Sequence, residues 1–334
     1  MPRCLVIALW AATAAAAPAQ AFDERREDVA AFVGEMSSRH GFTAAELGRV
    51  FAAAESRPSI IAAMARPAER TLPWHEYRAR FITDRRIARG VEVGRLQPEA
   101  LRRAAERGVP AQVLLSIVGV ETFYGENTGK HRVIDALATL AFDYPPRAPF
   151  FRGELEQYLL VSREESLDPL GPAGSYAGAM GIPQFMPSSF RAYAVDGDGD
   201  GKRDLWTSWS DVFASVANYL ASHGWRSGEP VMAAADVAGA DLAGLEFGTV
   251  ALTETVGSLR SRGVRFDTTL PADAPAVLLQ LAGRDGPEHR VGFANFYAIT
   301  RYNRSQLYAC AVSDLADAIA AGGGPPPFAS SPAE

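Results

Sequence analysis

The segment PAQVLLSIVGVETFYG, residues 110–125, limits what this chain can become more than any other stretch. Pro110 suits the first turn of a helix and Gly125 suits its stop, so one helix is expected between them. On it Val113, Ile117 and Glu121 fall on one line at four-residue spacing, flanked by Leu114 and Val118. Glu121 therefore stands on a face that should otherwise be apolar. Partial burial disfavours a charged carboxylate there, and so does the negative C-terminal end of the helix dipole. Both effects keep a proton available near neutrality, as a general acid requires when it releases a sugar oxygen, a poor leaving group until protonated. The alternative is a helix-end Glu that reaches solvent or pairs with an arginine.

With 334 residues, 48% of them hydrophobic and 22% charged, the chain is long enough for a substantial core and more than one packed unit. It opens with Arg3, an apolar run, and then Ala19-Gln20-Ala21, the small-x-small pattern of a signal-peptidase site. Export to the periplasm with cleavage after Ala21 is expected. The run from Cys4 to Ala17 is shorter than the roughly 20 residues that span a bilayer. A lipidated cysteine would follow such a run, whereas Cys4 precedes it, so no transmembrane segment or lipid anchor is expected in the mature chain.

Loss of Cys4 with the leader leaves Cys310 as the one mature cysteine, which excludes an intramolecular disulfide. Leu307, Ala311, Leu315 and Ile319 recur around Cys310 every four residues, so it reads as a helix-packing thiol. The net charge of -6 argues against a nucleic-acid partner, because phosphate binding is driven by basic patches. Attraction to an acidic polymer must then be local.

Near the start, Val29, Phe32, Val33 and Met36 share a helix face, Gly41 stops the run, and Thr43 to Glu46 has capping-box spacing before Leu47, Val50 and Phe51. From Pro98 to Trp225 the pattern stays mainly helical, broken by Gly- and Pro-rich loops around 125–130, 144–149 and 168–187 that can line a groove. Composition shifts near Glu229, and Thr249 to Thr253 alternates like a half-buried strand. The resulting division is a leader over 1–21, an N-terminal helical domain over 22–97 and a catalytic core over 98–228. A small mixed or β insertion over 229–291 and a helical return over 292–321 follow. Gly322-Gly323-Gly324-Pro325-Pro326-Pro327 then begins a tail, 322–334, expected to be disordered.

The segments GVETFYGENTGKHRVIDALATLAFDYPPRAPFFRGELEQYLL, GSYAGAMGIPQFMPSSF, LWTSWSDVFASVANYLASHGW and FYAITRYNRSQLYACAV, with WHEYRARFI upstream, resemble the B-type lytic murein transglycosylases, glycoside hydrolase family 103. The resemblance implies a mainly α (α+β) fold: a lysozyme-like helical core, an N-terminal helical domain and a small β-containing insertion. It implies a lyase that cuts the β-1,4 bond between N-acetylmuramic acid and N-acetylglucosamine without water, leaving a 1,6-anhydromuramic end. Peptidoglycan glycan strands would be the partner, with no cofactor in the chemistry. Glu121 would be the lone catalytic residue, acid first and then base. Asp135, Asp143 and Asp168 are not nominated as nucleophiles, since the family pattern supplies none.

By the same resemblance Ser175 and Gln184 would hydrogen-bond the sugar and its acetamido group near the acid. Tyr219, Tyr302, Asn303 and Tyr308 would belong to the sugar-contacting set, with Tyr77 a weaker member, since aromatic faces suit pyranose rings. Arg147 would attract a stem-peptide carboxylate. Read without the family, Ser175 and Gln184 cap loops and the tyrosines pack in a core.

Asp196-Gly-Asp198-Gly-Asp200-Gly201 reproduces the first six positions of an EF-hand calcium loop, and Lys202 holds the seventh, which contributes a backbone carbonyl. Position 12 is Thr207 where a bidentate Glu is expected, which weakens the site. Relatives with a single EF-hand close it with a later Asp, and Asp211 lies suitably in an EF-hand-like loop over 196–211. A structural Ca2+ is the reading weighed against a solvated Asp/Gly turn. For the chain as a whole, the alternatives are a hydrolytic muramidase of the same fold and a non-catalytic peptidoglycan-binding protein.

Overall fold

The computed structural model describes residues 20–23, 25–65 and 72–325. The leader up to residue 19 and the tail from 326 onward lie outside the described residues; of the expected 322–334 tail, Gly322 to Pro325 are described, with the Gly324 N–H donating to the Ile319 carbonyl at 2.9 Å. The structure opens with a strand, β1 (Gln20–Ala21), paired antiparallel with β2 (Glu55–Ser56). The expected cleavage after Ala21 falls at the end of β1.

Helix α1 (Glu27–His40) buries Val29, Phe32 and Met36 and stops at Gly41, whose φ of 67° lets its N–H reach back to Met36 and Ser37. Helix α2 (Ala44–Ala53) starts from Thr43, with both hydrogen bonds of a capping box to Glu46 present. After β2 come α3 (Pro58–Met64) and α4 (Trp74–Phe81). Phe32, Phe51 and Phe142 meet edge to face at 5.8–6.0 Å, joining these helices to the body. Buried Asp135 makes a second joint, accepting from the Glu55 N–H at 2.9 Å and from Arg132.

The body follows as α5 (Asp84–Leu96), α6 (Pro98–Ala105), α7 (Ala111–Thr122), β3 (His131–Arg132), α8 (Val133–Phe142), α9 (Ala148–Glu164), β4 (Ala173–Gly174), α10 (Pro187–Tyr193) and α11 (Trp209–Ser222). Helix α7 is the centre. Val113, Leu114, Leu115, Ile117 and Val118 are all buried, with α5, α6, α11 and the last helix, α14 (Gln306–Ala321), around them. Each such aliphatic side chain contributes roughly 1.5–3 kcal/mol by leaving water. Gly119 is needed at a close approach: a Cβ there would lie 2.6 Å from the Tyr124 ring.

A four-stranded antiparallel sheet then forms from β5 (Met232–Ala235), β6 (Glu254–Thr255), β7 (Pro275–Ala282) and β8 (Pro287–Gly292) in the order β5-β8-β7-β6. In β7, Val277, Leu279 and Leu281 face the main core. Ala276 and Leu278 face a smaller core with Val291, Phe293 and the side chains of α12 (Val256–Ser261). Helices α13 (Ala294–Tyr302) and α14 (Gln306–Ala321) return to the body. The strand expected over Thr249–Thr253 is absent: that segment is irregular, and pairing begins at Glu254. Alternation in so short a run was a weaker signal than the AVLL of β7, whose two buried faces erase alternation altogether.

Candidate active site

Helix α7 ends at Thr122 rather than at Gly125. Phe123 and Tyr124 both take left-handed backbone angles, with φ of 53° and 59°, and Gly125 follows at 89°. Left-handed geometry costs a non-glycine residue about 1–2 kcal/mol, so the surroundings must impose it. The Tyr124 N–H closes onto Val118 at 3.1 Å, and its ring fills the space above Gly119. The outcome is a chain reversal directly beyond half-buried Glu121.

The Glu121 carboxylate accepts a hydrogen bond of 2.5 Å from the Tyr308 hydroxyl, which arrives on the first turn of α14. Burial, and then the neighbouring Glu121 charge, raise the Tyr308 phenol well above its ordinary range, so it remains a donor. Tyr302 stacks on Tyr308 with ring centres 6.5 Å apart and planes 10° from parallel. Burial followed by Glu121 raises its phenol likewise, and its hydroxyl donates to the Pro183 carbonyl at 2.6 Å. Tyr219, on α11, lies 4.8 Å from the Tyr302 ring and donates to the Arg301 carbonyl at 2.6 Å; burial pushes its phenol up to about 12.

Two loops complete the frame. Ser175 follows β4, and its Oγ accepts from the Ala177 and Ala179 N–H groups at 3.3 and 3.0 Å, closing a tight turn. Gln184 has a left-handed φ of 53°, and its amide nitrogen donates to the carbonyls of Thr128 at 3.1 Å and Gly181 at 2.8 Å. Thr122, which the sequence did not single out, joins this loop to the end of α7: its hydroxyl donates to Ile182 at 2.8 Å and accepts from the Gly125 N–H at 3.0 Å.

Tyr77 is buried on α4 beside Phe81 at 5.0 Å and within electrostatic reach of Tyr308. Asn303 caps α13 at the start of the turn into α14. The structure thus gathers Glu121, Tyr302, Tyr308 and Tyr77, with Tyr219, Gln184 and Asn303 bordering them. Arg147 is exposed, and its guanidinium lies over the rings of Phe150 and Phe151 at 4.7 and 5.0 Å.

In the acidic loop, carboxylate oxygens of Asp196, Asp198 and Asp211 lie within 4.8 Å of one another. Asp211 comes from the first turn of α11 and is buried, which raises its pKa. Backbone N–H groups of Gly199 and Gly201 donate to Asp196, those of Gly197 and Asp204 to Asp211, and the Ser208 hydroxyl to Asp198; an all-oxygen set of this kind suits a hard dication. Asp200 stands outside this trio, its carboxylate accepting from the Lys202 N–H at 2.8 Å.

The transglycosylase SLT domain matches residues 24–317. Membrane-bound lytic murein transglycosylase B of Escherichia coli (strain K12) is 40% identical over 299 residues, 86% of this chain and 81% of that one. The X-ray structure of catenated lytic transglycosylase SltB1 from Pseudomonas aeruginosa superposes with a TM-score of 0.85 at 50% identity, covering 89% of this chain and 98% of that one. The structure of Escherichia coli lytic transglycosylase Slt35 in complex with calcium does so with a TM-score of 0.83 at 38% identity, covering 91% and 96%. These structures share the mainly helical, lysozyme-like class expected from the sequence. A match this long, on a site built around one helix-end carboxyl group, means that the chain belongs to the transglycosylase SLT family.

Proposed function

We propose that this chain is a lytic murein transglycosylase with Glu121 as its acid and then its base. The observation that carries the reading is the Glu121–Tyr308 hydrogen bond, which holds one carboxyl oxygen at the end of a buried helix. The other oxygen carries the proton to the glycosidic oxygen between N-acetylmuramic acid and N-acetylglucosamine. The bond from that oxygen to C1 breaks. The C6 hydroxyl of the same muramic residue then attacks C1, and the Glu121 carboxylate takes its proton. A 1,6-anhydro ring forms, no water enters, and the residue ends the cycle protonated as it began. During the charged interval the Tyr308 hydroxyl stabilises the carboxylate.

Ser175, Gln184 and Asn303 are assigned to sugar hydrogen bonding, and Tyr77, Tyr219, Tyr302 and Tyr308 to its aromatic walls. Because three of those phenols donate within the protein, their rings rather than their hydroxyls would meet the sugar. Arg147 is retained for a stem-peptide carboxylate. Asp196, Asp198 and Asp211 would hold a structural Ca2+, aided by Asp200 and the Lys202 carbonyl; the ion would brace the loop, with no part in the chemistry. A calcium complex of a relative supports this. The leader, periplasmic location and domain boundaries at 97/98, 228/229 and 291/292 belong to the same reading. No helix of the described residues is long and apolar enough to cross a membrane. The test is Glu121→Gln assayed for muropeptide release from purified sacculi alongside its melting temperature. Loss of release in a folded protein is expected, and unchanged turnover removes Glu121 from its role.

A further inference from the structure

Three arginines crowd the other side of the reversal that follows Glu121. Arg85, Arg86 and Arg89 lie on the first turns of α5, where the positive end of the helix dipole disfavours cations. The Arg85 and Arg86 guanidinium carbons lie 4.6 and 4.9 Å from the centre of the Phe123 ring, two residues past the acid. The Nε atoms of Arg86 and Arg89 and the hydroxyl of Tyr124, which is 3% exposed, are buried without a hydrogen-bond partner. Burial lowers the Arg86 pKa, Tyr124 opposes that shift, and the neighbouring Arg85 charge adds to it. Glu126 answers from the reversal loop, 2.7 Å from Arg85 and 3.9 Å from Arg89, while Glu92 takes Arg89 at 2.7 Å. Arg85 remains 76% exposed at the rim.

We infer that this cluster is a second subsite, distinct from Arg147, which takes a carboxylate of the stem peptide carried by the muramic sugar. The inference rests on the lytic transglycosylase reading. The cations are repelled by one another and by their helix end and only partly neutralised, so a further carboxylate at the rim is favourable. The placement links that recognition to catalysis: the Tyr77 and Phe81 rings lie 5.0 Å apart, and the Arg86 guanidinium sits over both Phe81 and Phe123, the residue two past Glu121. In a chain of net charge -6 such a patch also supplies the local attraction that an acidic polymer needs.

The test compares kcat/KM on peptide-bearing glycan strands with kcat/KM on the same strands stripped by an amidase, using the mature chain. Arg85→Gln is expected to lower the ratio of the two about two- to five-fold, the loss of an ion pair at an exposed site. Glu126→Gln, which removes the internal competitor, is expected to raise it. A ratio unchanged in both variants, or lowered in both, overturns the subsite. Inhibition of both substrates alike by millimolar sulfate would assign the cluster to a free anion and also overturn it. In each of those cases anhydro products that disappear with Glu121→Gln leave the parent reading standing, so the two failures are separable.

Discussion

Thr122 fastens the end of the helix bearing Glu121 to the loop bearing Gln184, because its buried hydroxyl donates to the Ile182 carbonyl at 2.8 Å. The same oxygen accepts from the Gly125 N–H, so one side chain fixes both the helix end that carries Glu121 and the start of the reversal. Thr122→Val keeps the shape and leaves those two backbone groups unpaired. A stability loss of about 1–3 kcal/mol in urea unfolding is expected, with a fall in kcat larger than any rise in KM. An unchanged kcat would separate this joint from the chemistry.

Tyr308→Phe keeps the ring stack with Tyr302 and removes the donor to Glu121. A hydrogen bond to a charged group contributes about 1.5–3 kcal/mol. A fall in kcat of roughly ten-fold or more follows, read as initial rates of muropeptide release at matched melting temperature. Equal rates would show that the carboxyl group needs no holding.

Burial pushes the Cys310 thiol up to about 12. Because burial opposes the thiolate, the reactive form is absent from the folded protein through the neutral and mildly alkaline range. A disulfide-exchange reagent is expected to leave Cys310 unlabelled in the native protein at pH 8 and to modify it once denaturant unfolds the chain. Rapid native labelling would contradict the buried placement on α14.

Chelation tests the acidic loop. Binding to the folded state alone stabilises it by mass action, so a chelator should lower the melting temperature and added calcium should restore it. Asp211→Asn should abolish the difference, because the buried first-turn carboxylate of α11 is one of the trio. A melting temperature indifferent to both reagents removes the ion.

The place of Glu121 on a buried helix was legible because its four-residue line with Val113 and Ile117 is a local property of that helix. Its partner was legible as a residue but not in its contact, since Tyr308 lies 187 positions away and only tertiary packing joins them. The left-handed Phe123 and Tyr124 carry no signal of their type, because neither is glycine and it is packing above Gly119 that imposes the geometry. Thr122 sits on the same buried helix as its apolar neighbours and reads there as a filler. The capping box at Thr43 needs only three residues of spacing and was readable in full, whereas β7 is buried on both faces and lost the alternation that marks a strand.

On the proposed reading, one carboxyl group gives a proton to the leaving sugar and reclaims one from the ring left behind. Mass spectrometry of the fragments released from purified sacculi in 18O-labelled water tests it most directly. Muropeptides ending in 1,6-anhydromuramic acid, carrying no label and lighter by one water than the hydrolysed product, are expected. Fragments with reducing ends that have taken up the label would contradict it and make the chain a hydrolase.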